Sequence, residues 1–332
     1  MRVFKYFIFI FLGITFLISV TVGLFAYFRP QSMIELLTSL TPTVTPSPMK
    51  IKGIGVIGDS LSDEYRADDN RGQTYASTTL NWVEVLDRTR NLNFGKWQYW
   101  EEPRREGYAY NFARSGATVA GSISEGQHTG LAAEIKKGNV NAVIIFLGAN
   151  DFFPYVPNGY DAIYNGSLSD AAILQKINRM IADETTIVET LQKAGSVRIL
   201  LVKVPDWSNH IGAIIAFPDP TGRQKVTDVV KTVNDKFQEL ADSHHIATAD
   251  PNEFYDQMKR RENDGKLVVA GVTMNPVIPS DDPHSIFLDD FVHPGTIYNG
   301  LFANYLISRL NSGLGTTIKP LSDQEIVSTA GL

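Results

Sequence analysis

A serine at the end of an apolar run needs a base before it can do covalent chemistry. Residues 55–63 read GVIGDSLSD, which places Ser60 just past such a run, behind Gly58 and Asp59. A serine hydroxyl is a weak nucleophile until a histidine takes its proton and an acid orients that histidine. Residues 289–295, DDFVHPG, hold such a pair: Asp290 and His293 stand three positions apart. In a turn, that spacing sets the carboxylate beside one imidazole nitrogen and leaves the other for a nucleophile. Asp281 and His284 in DDPHS repeat the spacing. A proline and an amphipathic stripe follow His293 and pin its turn, so His293 is the expected base and His284 a surface residue. Taken alone, a serine after Gly-Asp is usually a turn or helix-cap residue.

Two further polar turns contain glycine: RSGAT at 114–118 and GAND at 148–151. They and Ser60 follow the first three of five short apolar runs, at 53–57, 108–113, 142–147, 198–204 and 246–250. Helical stripes alternate with these runs, strongly at 173–191, 226–240 and 297–310 and more weakly at 82–86 and 131–135. Strands alternating with helices imply a parallel sheet covered on both faces. The expected fold is α/β, a three-layer α/β/α flavodoxin-like sandwich with a five-stranded parallel sheet. In such a sheet the binding crevice lies outside the carboxyl ends of the strands, so the three turns should converge there.

GDSLSD, NFARSGAT, LGAND and DDFVHPG resemble, in the same order, the four conserved blocks of the GDSL lipases and esterases, also called SGNH hydrolases. The resemblance implies the same three-layer fold and a carboxylic ester hydrolase. It assigns Ser60 as nucleophile, His293 as base and Asp290 as its partner. It also assigns an oxyanion hole of the Ser60 amide, the Gly116 amide and the Asn150 side chain, with glycine at 116 permitting close approach. No cofactor or metal is implied. Many relatives continue the histidine with proline and asparagine, whereas this chain has Pro294 and Gly295. Segments 152–170, 207–222 and 252–287 read as loops above the crevice, where a lipid, short-chain acyl or carbohydrate O-acyl ester would be selected. Asp59 reads as scaffolding for the nucleophile turn, and Asp63 as either scaffold or solvated acid.

The rest of the chain bounds these readings. With 332 residues, 43% hydrophobic and 20% charged, it has the composition of a globular protein. A net charge of -6 leaves no basic footprint, so nucleic acid is not an expected partner. The absence of cysteine excludes disulfides, thiolate nucleophiles, cysteine zinc sites and a lipidated cysteine. His128, His210, His244 and His245 show no metal-ligand spacing and are expected on the surface. Trp97, Tyr99, Trp100, Tyr108 and Tyr110 form an aromatic cluster expected to pack.

Residues 7–28 are 22 in a row without a charge, about 33 Å as a helix and enough to span a bilayer core. Aromatics and Arg29 close the run without a clear cleavage site. The expected organisation is a signal anchor over 1–29 and a proline- and threonine-rich linker over 30–50. A hydrolase domain over 51–312 and a tail over 313–332 follow. The catalytic domain would then be extracytoplasmic and membrane-anchored, or secreted if the segment is cleaved. Two rival functions fit parts of the pattern: a metal-dependent phosphoesterase and a non-catalytic tethered module for glycans.

Overall fold

Four of the five apolar runs form parallel strands: β1 (Ile54–Gly58), β2 (Ala142–Phe146), β3 (Arg198–Val202) and β4 (Ala247–Ala249). The chain divides into two units, Met1–Ser47 and Pro48–Leu332. The computed structural model describes residues 48–67, 71–100, 106–154 and 156–332. The 7–28 segment and residues 30–47 of the expected linker lie outside the described residues. Among the described residues no helix is long and apolar enough to cross a membrane.

The sheet order is β1-β2-β3-β4, with Ile54 opposite Ala142, Ala142 opposite Arg198 and Leu200 opposite Ala247. The expected fifth strand is corrected to an extended edge. Val56 N donates to Tyr110 O, Phe112 N to Val56 O and Arg114 N to Gly58 O, yet only one isolated bridge, Val56 to Asn111, results. The ladder stops one bond short because Gly58 N, which the next bridge would need, donates to Gln127 Oε1 at 3.1 Å instead. Adding this edge beside β1 completes the doubly wound order expected of a flavodoxin-like sheet.

Helices cover both faces, as parallel pairing requires. They are α1 (Trp82–Arg90), α2 (Val119–Ser124), α3 (Gln127–Lys136), α4 (Tyr160–Tyr164), α5 (Asp170–Ala194), α6 (Ile211–Ala216), α7 (Pro220–His244), α8 (Pro251–Arg261), α9 (Thr296–Leu314) and α10 (Asp323–Thr329). Alternate strand residues divide between two cores. Val56, Ile144 and Val202 face α1, α9 and α10, whereas Ile57, Ile145 and Leu201 face α3, α5 and α7. At Gly55 a Cβ would come within 2.3 Å of Leu131, so glycine lets α3 approach the sheet.

Residues 313–332 are not a tail. Leu321, Ile326, Val327 and Ala330 are buried against α9, and Met49 N donates to Gly315 O at 2.7 Å, so both ends of unit two belong to its core. The expected loops over the crevice carry α4, α6 and α8 and a small hairpin, Val268–Val269 with Val272–Thr273.

Glu184 on α5 is fully buried with neither carboxylate oxygen hydrogen-bonded. Burial, reinforced by the charges of Asp151 and Asp183, pushes its carboxyl up to about 8. The native state therefore retains a proton that the unfolded chain releases above about pH 4.5, so this contribution is complete at low pH and is lost as pH rises toward 8. Thermal unfolding should show a Tm several degrees lower at pH 8.5 than at pH 5.5, and Glu184→Gln should flatten that slope. A Tm that rises with pH, or an unchanged slope in the variant, contradicts this assignment.

Candidate active site

The turn after β1 is built by Asp59. Its Oδ1 accepts from Leu61 N at 2.9 Å, and its backbone carbonyl accepts from Ser62 N at 2.9 Å and Asp63 N at 2.8 Å. Ser60 lies inside that turn, only 9% exposed. Gln127 on α3 fixes the strand end, donating from Nε2 to Gly58 O at 3.2 Å and accepting from Gly58 N at 3.1 Å. Burial, with the Asp151 and Asp63 charges adding, pushes the Asp59 carboxyl up to about 7 against the Leu61 amide, which favours its ionised form.

Asp63 draws the second turn to the first. Its Oδ2 accepts from Ser115 N at 2.9 Å, and its Oδ1 lies 3.5 Å from the Arg114 guanidinium. Asn111 Nδ2 adds a bond to Ser62 O at 2.8 Å. Gly116 has φ +80, and a Cβ there would meet open space. Its left-handed backbone by itself favours glycine. The third turn is tied to the second by Asn150 Nδ2, which donates to Ala117 O at 3.1 Å, and by Val119 N, which donates to Asp151 Oδ2 at 3.0 Å.

The fourth turn presents Asp290 and His293. His293 Nδ1 lies 2.6 Å from Asp290 Oδ2, while Asp290 Oδ1 accepts from the backbone amides of Val292 and His293, each at 2.9 Å. Burial by itself would raise the Asp290 carboxyl, but the His293 side chain, its charge and these amides outweigh it and hold the group well below the ordinary carboxylate range. His293 is 7% exposed, and its Nε2 is buried without a hydrogen-bond partner. Ser60 Oγ is therefore not bonded to it here. In hydrolases without substrate such contacts are commonly long and tighten in the complex.

Residues that sequence reasoning did not select hold this turn. Tyr65 sets its ring edge-on to His293 at 6.0 Å between centroids and donates from Oη to Pro294 O at 3.1 Å. Asn299 Nδ2 donates to the same carbonyl at 2.7 Å. Arg71 reaches Asp290 Oδ2 at 2.6 Å, and Gln73 Nε2 donates to Asp289 Oδ2 at 3.0 Å. Only the acids of the DD pair hinted that partners were needed.

Arg71→Ala should lower kcat by about 10- to 100-fold, because small displacements of an orienting group are costly. Steady-state kinetics on the folded variant check this; an unchanged kcat reduces Arg71 to a surface ion pair.

The remaining histidines divide. His284 is exposed on its loop and pairs with Asp282 at 2.7 Å, not with Asp281. His245 is exposed, and His244 meets Gln192 at 3.2 Å. His128 and His210 correct the surface expectation. His128 is 8% exposed within α3, and His210 caps α6, accepting from Gly212 N at 3.0 Å. In the aromatic cluster, Trp97 packs edge-on to Tyr108 at 5.2 Å and beneath Arg66 at 3.6 Å, but Tyr99 is 81% exposed. No group of three or more His, Cys, Asp or Glu able to hold a metal occurs among the described residues.

A parallel α/β sheet that carries a serine turn, glycine turns and an aspartate–histidine turn at its carboxyl edge is the frame of a hydrolase. Residues 56–295 match the model of the GDSL-like Lipase/Acylhydrolase family, and the chain belongs to that family. It is a carboxylic ester hydrolase. No curated protein matches the chain.

Similar solved structures include an acetyl xylan esterase variant from Geobacillus stearothermophilus, at 15% identity and TM-score 0.43, covering 80% of this chain and 96% of that one. An extracellular lipase from Streptomyces rimosus is similar at 14% identity and TM-score 0.45, covering 77% and 99%. A gut microbial diltiazem-metabolizing enzyme shares 16% identity at TM-score 0.46 over 80% of this chain, which spans about half, 48%, of that enzyme.

Proposed function

We propose that the protein is a serine esterase in which Ser60 attacks an ester carbonyl while His293 accepts its proton and Asp290 steadies the imidazolium. His293 then returns the proton to the leaving alcohol, and a water repeats the sequence to release the acid. The amides of Ser60 and Gly116 and the side chain of Asn150 would meet the developing oxyanion. The observation that supports this most is the 2.6 Å contact of Asp290 with His293 Nδ1, which leaves the buried Nε2 unpaired. A fluorophosphonate should label the active chain stoichiometrically on the peptide containing Ser60, and turnover should survive EDTA. Labelling elsewhere, or loss of turnover on chelation, overturns the assignment.

Esters of lipids, short acyl groups or carbohydrate hydroxyls all suit this chemistry. A membrane-anchored, extracytoplasmic placement belongs to the same proposal and rests on the uncharged 7–28 segment. Recovery of the full chain in the soluble cytosolic fraction would remove it.

A further inference from the structure

Beside the Ser60 turn lies a cavity of about 120 Å³. Leu61 forms part of its wall, and so do Val292 and Pro294, the residues before and after His293. The cavity therefore borders the proposed nucleophile turn and base turn together. Its lining is largely aromatic, with Phe146, Phe254, Phe287, Tyr298 and Phe302 among it. Asp206, the acid on the wall, is held by Ser208 N at 2.9 Å and by the Thr227 hydroxyl at 2.7 Å.

His210 also lines the cavity, against Phe287, with ring centroids 4.3 Å apart. Its Nδ1 accepts from Gly212 N, so the proton sits on Nε2, which is buried and has no partner. Burial holds this imidazole down to about 4, so the ring is neutral at neutral pH. A packed core seldom leaves such a space or such a donor, whereas a ligand site commonly combines apolar walls with few polar groups.

We propose that this cavity is the acyl subsite of the esterase, taking an apolar acyl group of about four to six carbons in preference to acetyl. The inference rests on the serine esterase reading above. The size follows from volume: a dry apolar cavity of about 150 Å³ takes a benzene ring, so this one fills with a chain of similar or smaller bulk. Each buried methylene should raise kcat/KM about 3- to 4-fold until the space is full.

The test compares p-nitrophenyl acetate, butyrate, hexanoate and decanoate with the full chain. Specificity should climb about tenfold per two carbons to hexanoate and fall at decanoate. Phe287→Ala should move the maximum to a longer chain, and His210→Trp should cut the hexanoate-to-acetate ratio at least tenfold. These are ratios within one preparation, so partial misfolding of a variant does not disturb them. A flat or acetate-favouring profile in a chain that fluorophosphonate labels at Ser60 overturns the subsite and leaves the esterase reading intact. Absence of both labelling and turnover overturns the esterase reading, and the subsite with it.

Discussion

Ser60→Ala is expected to lower kcat on the order of 10⁶-fold and to abolish fluorophosphonate labelling, with the fold unchanged. Fold and activity separate cleanly at this position. The turn is made by the Asp59 side chain and carbonyl and by Gln127, none of which uses the Ser60 hydroxyl. His293→Ala should match the loss, and the double variant should be no worse than either single one, because the two groups act as a unit. Hydrolysis of a p-nitrophenyl ester before and after each change measures this. A folded Ser60→Ala protein retaining more than about a hundredth of the original rate sinks the nucleophile assignment.

Asn150→Ala should cost about 10²- to 10³-fold in kcat with little change in KM, since an oxyanion donor acts on the transition state. The amide carries two N–H donors, and one goes to Ala117 O at 3.1 Å. That bond fixes the plane of the group and leaves the second donor for substrate. Removing the side chain loses both, while Asp151 still joins the loop to Val119. Asn150→Asp keeps the shape but exchanges the donor for an acceptor bearing charge, so it should be at least as damaging. Full activity in either folded variant removes Asn150 from the oxyanion hole.

The α/β order was legible because strand and helix periods are local. Runs such as AVIIF and the 173–191 stripe carry their structure within a few residues, and β2 and α5 formed on them. The run at 108–113 misled because apolar content does not report that the Gly58 amide is taken by Gln127, 69 positions away, which leaves the edge without its next bridge. Residues 313–332 looked like a tail because α10 has only seven residues, and its stability comes from burial against α9.

The sequence by itself determined which chemistry is available: a serine, an aspartate–histidine pair and two glycine turns, each set by residue type and short spacing, at the ends of elements whose periodicity is local. Only the tertiary structure decided what holds them. Asp63 meets Ser115 across 52 positions, Gln127 meets Gly58 across 69, Arg71 meets Asp290 across 219 and Tyr65 meets Pro294 across 229. Contacts so distant leave no periodic trace in a single chain, because they arise from how layers dock, as does the aromatic cavity, whose walls come from strand ends, turns and α9.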